Sequence, residues 1–445
     1  MWSWRLCRAA RKLPGRYSSP RSVPVYNEVS LRSALRGVRS GARVVASPSC
    51  GTPETLLATL GEHTLSNPVV TLSAGLLLGD LPFESAVRAG ALRFRTWHIP
   101  GSGRLLAGDG LIDYLPLRAS DVIACIRPGD VALVRCTPPD RHGRCSLGPS
   151  ASYGSHLVHT AGLVVAEVDP DLPWTHGDTV IPASRVDRFV ASAQPTLEYS
   201  RERSDDPRLK TIAARVCEVV PTGATVQLGI GAVSEAVSQQ LAPLAEEKQL
   251  GLLGLITDAT WPLVEAVCRS GRGPVLAIEI MGSSALMAAV HRHPGIEMLS
   301  SQRGHDPVTI GRLPKLISIN SALAVSLTGH VYADTVGGRL IAGVGGSVDF
   351  FEGAHMSAGG LRVIALTSTD RRGNSTILDD ATVDGGVTIP HHSVDMVVTE
   401  HGVAPLTGRS LRERRQALIG VAAPEHRERL SASPVGLPRA GGTRP

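Results

Sequence analysis

Aromatic residues are scarce in this chain, at 4% of 445 residues. A low aromatic content argues against a surface on which nucleic-acid bases or sugar rings stack. The formal net charge of +5 is also small for this length, and the body of the chain has no concentrated basic patch. The sequence therefore predicts no nucleic-acid partner.

Long hydrophobic runs are missing as well. A helix that spans a membrane needs about 18–20 consecutive apolar residues. The run from Val69 to Leu78 is too short for this, and Asp80 follows it closely. We therefore predict no membrane partner.

The seven cysteines form no recognisable framework. Their number is odd, they are scattered along the chain, and no pair has the CxxC spacing of a zinc or redox motif. This pattern favours a reducing compartment, with neither structural disulfides nor a metal site.

Acidic residues are missing from the start of the chain, where the first one is Glu28. Six basic residues and several serines precede it, which is typical of a mitochondrial transit peptide. Lysine is rare in the whole chain, so arginine richness alone would reflect general composition. The depletion of acids favours a transit peptide at residues 1–24 and a mitochondrial location, with a cytoplasmic location as the alternative.

The body of the chain has the pattern of α/β units. We predict an amphipathic helix from Asn27 to Gly41, which ends at a glycine. A strand from Ser40 to Ala46 then leads through a glycine turn into a helix from Thr55 to Leu60, and strand, glycine turn and helix recur at 222–237.

This repeat, in a chain too long for one ordinary core, predicts two similar α/β domains. We assign residues 25–198 to an N-terminal domain and residues 209–430 to a C-terminal domain. Residues 199–208 are the predicted linker, and residues 431–445 are predicted to form a disordered tail.

One stretch late in the chain combines a strand with a glycine loop. The strand runs through Ile319, and the loop reads Gly343-Val344-Gly345-Gly346. Glycines in such a loop leave backbone N–H groups free to face a ligand oxygen. We therefore expect the chemistry of the protein at this stretch.

Together with its flanks, this stretch resembles the acetyl-CoA hydrolase/transferase family, which includes acetate and 4-hydroxybutyrate CoA-transferases. Other matching segments follow the family order over most of the chain. They are Pro138–Gly143, Pro173–Asp178, Ile364–Thr369, Val398–Ala404 and Gly408–Arg414.

The resemblance implies two tandem open-sheet α/β domains of the CoA-transferase type. It also implies CoA transfer between a short acyl-CoA, such as acetyl-CoA, and a small carboxylate such as acetate. No separate cofactor is implied, because the coenzyme A thioester is itself a substrate, and a homo-oligomer remains open.

The family reaction uses a glutamate, which this sequence does not have at the matching position. In the family, the glutamate carboxylate attacks the thioester and forms a mixed anhydride. CoA thiolate then opens the anhydride to give a glutamyl-CoA thioester, and a second carboxylic acid accepts the CoA from it. Matching Asp258 and Leu263–Glu265 to the family segment places Gly254 where the glutamate belongs. Two further family acids are replaced by Ala324 and Ser326.

A glycine cannot act as the nucleophile, so three alternatives remain open. A substitute acid could carry the reaction, namely Glu279, Asp258 or Glu400. The protein could instead hydrolyse acyl-CoA by direct attack of water, or bind CoA thioesters without turnover. A nucleotide-binding or sugar-phosphate-binding α/β enzyme is a further alternative from another class.

The ligand cradle of the family is present in the sequence. Its glycines lie in two loops, where they either face the ligand or serve only to turn the chain. They are Gly229, Gly231, Gly343, Gly345 and Gly346. Asn320 matches the family asparagine and is expected to position the acyl end, whereas Asp349 is expected to pin the loop.

Two loop histidines, His142 and His176, lie in matching segments and are candidates for catalysis. The alternative is that each fixes a turn by hydrogen bonding, which is the commoner role of a loop histidine beside glycine and aspartate.

Overall fold

The structure is a computed structural model and describes residues 28–66, 69–202, 204–336, 338–379 and 385–432. The predicted transit peptide at residues 1–24 lies outside the described residues, as does the predicted tail from residue 433 onward. The last described helix extends to Ala432.

The N-terminal half is built on one parallel sheet. Its nine strands are β1 (Arg43–Ala46), β2 (Val70–Ala74), β3 (Leu92–Thr96), β4 (Ile112–Tyr114), β5 (Val131–Cys136), β6 (Arg144–Ser146), β7 (Leu163–Val168), β8 (Val180–Pro182) and β9 (Arg188–Ala191). Seven of them form the sheet in the order β4-β3-β2-β1-β5-β7-β9, and β6 pairs with β8 in a separate antiparallel ribbon.

Five α-helices occur among the described residues of this half. They are α1 (Leu31–Ala34), α2 (Glu54–Ser66), α3 (Glu84–Arg88), α4 (Arg104–Gly108) and α5 (Gly154–Thr160). The predicted helix from Asn27 to Gly41 is wrong in extent, because the backbone leaves the helix after α1 and Gly37 adopts φ of +99°. The apolar residues Ala34, Leu35 and Val38 are nevertheless buried. Their helix-like spacing in the sequence therefore reflects turns that pack against the core.

The C-terminal half is built on a second, larger sheet. Its strands are β10 (Thr225–Leu228), β11 (Gly251–Ile256), β12 (Val275–Ile280), β13 (Ile296–Met298), β14 (Leu316–Asn320), β15 (Ala324–Ser326), β16 (Val331–Tyr332), β17 (Thr335–Val336), β18 (Arg339–Leu340), β19 (Leu361–Ala365), β20 (Ile377–Leu378), β21 (Met396–Thr399) and β22 (Gly402–Pro405). Eight form the sheet in the order β13-β12-β11-β10-β14-β19-β21-β22, in which only the β21–β22 pair is antiparallel.

Nine α-helices accompany the C-terminal strands in the part of the chain that the structure describes. They are α6 (Pro207–Val219), α7 (Ala232–Leu241), α8 (Trp261–Arg269), α9 (Ser284–Val290), α10 (Ser301–Gly304), α11 (Pro307–Ile310), α12 (Ser347–Met356), α13 (Leu411–Val421) and α14 (Pro424–Ala432). The two large open parallel sheets confirm the predicted fold class. None of the helices in the described ranges is long and apolar enough to cross a membrane.

The strands are buried along their length, which explains why they are rich in apolar residues. All six residues of β5 are buried, as are all four of β10, since a parallel sheet is covered on both faces. The two halves also touch through backbone hydrogen bonds. The Ala151 N–H donates to the Ile278 carbonyl at 3.1 Å, and the Ile280 N–H donates to the Pro149 carbonyl at 2.8 Å. These bonds fix the carboxyl end of β12 against the N-terminal half.

Candidate active site

A cavity of about 320 Å³ lies between the two halves. The N-terminal half contributes Trp97 and His98, which follow β3, and the C-terminal half contributes residues at the ends of its strands. In open parallel sheets, ligands bind outside the carboxyl ends of the strands. The cavity therefore lies where the fold favours a binding site.

The first glycine turn forms one wall of this cavity. Gly229 follows β10 directly and lines the cavity, as does Ile230. Gly231 directly precedes helix α7 and has φ of +121°, a conformation that favours glycine. It is not among the residues that line the cavity. Of the two predicted glycines, Gly229 therefore lines the cavity, whereas Gly231 allows the turn before α7.

The late glycine loop forms another wall, and all three of its predicted residues line the cavity. A Cβ on Gly343 would lie 2.2 Å from the Trp97 carbonyl oxygen, and a Cβ on Gly346 would lie 2.6 Å from the His305 ring. The Gly345 carbonyl accepts a 3.0 Å hydrogen bond from the Ala119 N–H of the N-terminal half. A side chain at position 343 would therefore clash with the N-terminal half, and one at position 346 would clash with His305 of its own half.

Asn320 lies at the end of β14 and belongs to a polar network that sequence reasoning missed. Its Nδ2 donates to Gln227 Oε1 at 3.2 Å, and the Ser318 hydroxyl donates to the same oxygen at 2.6 Å. Gln227 is fully buried, lines the cavity, and its Nε2 has no partner within the described ranges. The signal was a glutamine between the apolar residues Val226 and Leu228.

Glu279 lines the same cavity and is 8% exposed. Its Oε1 accepts a 2.8 Å hydrogen bond from the Ser150 hydroxyl, whereas no described residue hydrogen-bonds the buried Oε2. Burial raises the pKa of Glu279 to about 8, against the opposing effect of the Ser150 and Ser49 hydroxyls. Glu279 can therefore gain or lose a proton close to neutral pH.

Two histidines also line the cavity, of which His98 is half-buried and His305 is buried. Burial lowers the pKa of His98 and of His305 to about 4, so both rings are neutral at pH 7. His305 packs against the Phe350 ring at 5.0 Å, and its Nδ1 is buried without a partner in the part of the chain that the structure describes. Neither histidine was predicted, because neither stands in a matching segment.

The other two candidate acids lie away from this cavity. Asp258 accepts hydrogen bonds from the N–H and hydroxyl of Ser283, at 2.9 and 2.5 Å. Glu400 accepts from the N–H and hydroxyl of Ser368, at 2.9 and 2.7 Å. Neither acid is among the lining residues, and each has its oxygens engaged in holding a loop.

Gly254 has no room for a side chain. Its φ is +130°, and a Cβ there would lie 2.1 Å from the Leu228 carbonyl oxygen. The register between β11 and β12 shifts at this point, and the β11 residue that lines the cavity is Leu255. Leu255 pairs in register with Glu279 on the neighbouring strand.

Asp349 joins the two halves of the protein, and the two loop histidines lie outside the cavity. Asp349 is buried and accepts from the Ser120 N–H and hydroxyl at 3.1 and 2.6 Å, which pins α12 to the N-terminal half. Burial raises the pKa of Asp349 to about 6. His142 and His176 have exposed side chains and do not line the cavity. No group of three or more potential metal ligands occurs among the residues described.

Two domains of one protein family match the chain. The acetyl-CoA hydrolase/transferase N-terminal domain matches residues 24–197, and the acetyl-CoA hydrolase/transferase C-terminal domain matches residues 282–433. Gly254 and Glu279 lie in the segment between the two matches.

Individual proteins match over most of the chain. The 4-hydroxybutyrate coenzyme A transferase of Clostridium kluyveri is 33% identical over 91% of this chain and 97% of its own length. The succinyl-CoA:acetate/propanoyl-CoA:succinate CoA transferase of Fasciola hepatica is 32% identical over 88% of this chain and 84% of its own.

Solved structures show the same architecture. The crystal structure of 4-hydroxybutyrate CoA-transferase from Porphyromonas gingivalis superimposes with a TM-score of 0.71 at 26% identity, over 91% of this chain and 96% of that one. RipA from Yersinia pestis superimposes with a TM-score of 0.83 at 24% identity and the same coverage, which bears on the fold alone.

Proposed function

Because the chain belongs to the acetyl-CoA hydrolase/transferase family, we propose that it transfers CoA between a short acyl-CoA, such as acetyl-CoA, and a carboxylate such as acetate. The relatives that resemble it over most of their length are named as CoA-transferases of this general kind. The proposal assigns the reacting carboxylate to Glu279.

The position of Glu279 carries this assignment. Leu255 is the cavity-lining residue of β11, the strand on which the family glutamate was expected, and Glu279 is its register partner on β12. Adjacent strands lie about 4.8 Å apart, and register partners in a parallel sheet face the same side. A carboxylate on β12 therefore reaches the same space as one on β11.

Glu279 Oε2, which has no hydrogen-bond partner in the described ranges, suits the role of a nucleophile. In the proposed relay, Oε2 attacks the thioester carbonyl carbon, the carbon–sulfur bond breaks, and CoA leaves as thiolate. The thiolate then attacks the Glu279 carboxyl carbon of the mixed anhydride, which releases the first carboxylate and leaves a glutamyl-CoA thioester. The second carboxylate reverses these two steps with its own acyl group.

Polar donors in the cavity suit the oxyanion that forms in each addition. The unpaired Gln227 Nε2 is held in orientation because two donors occupy its Oε1. The backbone of the late glycine loop lies on the same cavity. Donors that are fixed before the reaction stabilise developing charge without reorganisation.

Hydrolysis of acyl-CoA is a second candidate, favoured by the pKa of about 8 for Glu279. A carboxylate with a pKa close to the working pH is an effective general base for water. Water would then attack the thioester and give free acid and CoA.

Intact-protein mass spectrometry with acetyl-CoA, in parallel with an assay for free thiol, tests these proposals. A covalent CoA adduct together with acyl exchange into added butyrate is expected, and both should be lost in Glu279→Gln. Free thiol without adduct or exchange would favour hydrolysis. If neither occurs and acetyl-CoA only raises the melting temperature, the protein binds CoA thioesters without turnover.

A further inference from the structure

The cavity between the two halves has a closed end and an open rim. Trp97, Val122 and Phe350 line the closed end and are between 2% and 8% exposed. At the rim, Ile230 is 36% exposed and Ser321 is exposed as well. Coenzyme A is larger than a cavity of about 320 Å³, so it has to enter from the rim. The small acyl group then occupies the closed end.

Apolar side chains from both halves line this closed end. Trp97, Val122 and Tyr153 belong to one hydrophobic cluster of the N-terminal half, and the half-buried Leu117 packs against it. The Trp97 and Tyr153 rings meet edge to face at 5.2 Å. Phe350 belongs to a separate cluster of the C-terminal half. We refer to the space that these five side chains line as the apolar slot.

Hydrogen bonds fix the two walls of the apolar slot relative to each other. The segment that carries Leu117 and Val122 is bonded to α12, the helix that carries Phe350. Its Ser120 donates from the N–H and the hydroxyl to Asp349, the residue before Phe350, at 3.1 and 2.6 Å. The width of the slot is therefore set before a ligand binds, and a preformed apolar pocket selects its ligand by size and shape.

The side chains around the slot give no counter-charge to a second carboxylate. Among the described residues that line the cavity, Glu279 is the one acid, and neither lysine nor arginine occurs. His98 and His305 are neutral at pH 7, because burial lowers their pKa values to about 4. A carboxylate that enters such a site loses its hydration without gaining a cationic partner, which is strongly unfavourable.

We propose that the apolar slot binds the hydrocarbon body of a monocarboxylic acid of about four to six carbons, in preference to acetate and to dicarboxylates such as succinate. Leu117, Val122 and Phe350 then determine which acid the protein accepts. An acetyl group would fill only a small part of a cavity of about 320 Å³. For turnover, this inference rests on the function proposed above, whereas the preference in acyl-CoA binding depends on the slot alone.

The first test measures exchange from acetyl-CoA into labelled acetate, propionate, butyrate and succinate. Each added methylene from acetate to butyrate should raise kcat/KM about fourfold, as the burial of one CH₂ predicts. Succinate has as many carbons as butyrate but should exchange about 100-fold more slowly or worse, because its second carboxylate is desolvated. Exchange of acetate or succinate at the rate of butyrate or faster would overturn the inference.

Binding separates this inference from the proposed function. The affinities of acetyl-CoA and butyryl-CoA for Glu279→Gln, measured by titration calorimetry, test the slot without turnover. Butyryl-CoA should bind about 16-fold more tightly, since it buries two more methylenes. This difference in a protein that exchanges no acid supports the slot and contradicts only the proposed function. Equal affinities beside an active exchange contradict the slot alone.

Leu117→Lys places a cation at the slot on a half-buried position. It should raise the ratio of succinate exchange to butyrate exchange about tenfold or more, because the second carboxylate gains a partner. Leu115→Lys is the matched control, since Leu115 is half-buried and packs against the same cluster but does not line the cavity. The control should leave the ratio within about twofold of wild type. A ratio that moves equally in both variants would overturn the inference.

Val122→Phe narrows the slot from the N-terminal side. It should abolish the preference for butyrate over acetate, because the longer chain no longer fits beside Phe350. Both variants are judged by the ratio of two substrates in one preparation, so a partly unfolded sample does not change the result. An unmoved acetate-to-butyrate ratio in folded Val122→Phe contradicts the role of the slot.

Discussion

Glu279 and the pair formed by Asp258 and Glu400 differ in how their oxygens are satisfied. Asp258 and Glu400 each accept two hydrogen bonds from one serine, and both stabilise loops. Glu279 lines a cavity and accepts one hydrogen bond at Oε1, whereas its buried Oε2 has no partner among the described residues. A buried polar atom without a partner is unfavourable unless a ligand supplies one, and this difference supports the proposal that Glu279 reacts while Asp258 and Glu400 serve the structure.

The largest effect is expected when Glu279 itself is replaced. Glu279→Gln should lower CoA exchange by about 1,000-fold or more, because an amide cannot form the anhydride. Exchange is measured by transfer of labelled acetate into acetyl-CoA. A Glu279→Gln enzyme with near wild-type exchange would contradict the assignment.

A second test moves the acid back to β11. The double variant Leu255→Glu with Glu279→Leu should recover part of the lost exchange, about tenfold or more above Glu279→Gln, since the two positions are in register. Gly254→Glu is the matched control. It should lose about 3 kcal/mol or more of folding stability in chemical denaturation, because of its left-handed backbone and the close Leu228 carbonyl.

The pH dependence sharpens the same contrast. If ionised Glu279 is the reactive form, kcat should fall roughly tenfold per pH unit below its pKa of about 8 and level off above it. Asp258→Asn and Glu400→Gln should keep this profile. A flat wild-type profile between pH 6 and pH 9 would argue against Glu279.

The smallest effects are expected at the structural acids. Asp258→Asn and Glu400→Gln should each lose about 1–2 kcal/mol of unfolding free energy, because one of two hydrogen bonds to a carboxylate is weakened. Their exchange rates should stay within about threefold of wild type. Chemical denaturation and the exchange assay, run on the same preparations, measure the two quantities together.

The fold and part of the site were predictable from the sequence for physical reasons. Buried parallel strands such as β7 appear as apolar runs, and glycines mark the turns at which strands lead into helices. The loop at Gly343–Gly346 was predicted to face a ligand, and it lines the cavity between the two halves. These features depend on local sequence, so a linear pattern records them.

The proposed choice of Glu279 as the reacting acid depends on contacts that no linear pattern records. Glu279 stands in an apolar strand, and its relation to Leu255 is set by a register shift beside Gly254. Gln227 and His305 reach the cavity only through the packing of the two halves. The predicted helix from Asn27 to Gly41 failed for a related reason, because its apolar residues pack on the core through turns.

The most direct measurement locates the CoA adduct after trypsin digestion of protein incubated with acetyl-CoA. Cleavage after Arg272 and Arg292 gives the peptide 273–292, in which Glu279 is the only acidic residue. The account predicts that this peptide gains the mass of a CoA thioester and that the gain is absent in Glu279→Gln. An adduct on a peptide that contains Asp258 or Glu400, with 273–292 unmodified, would contradict it.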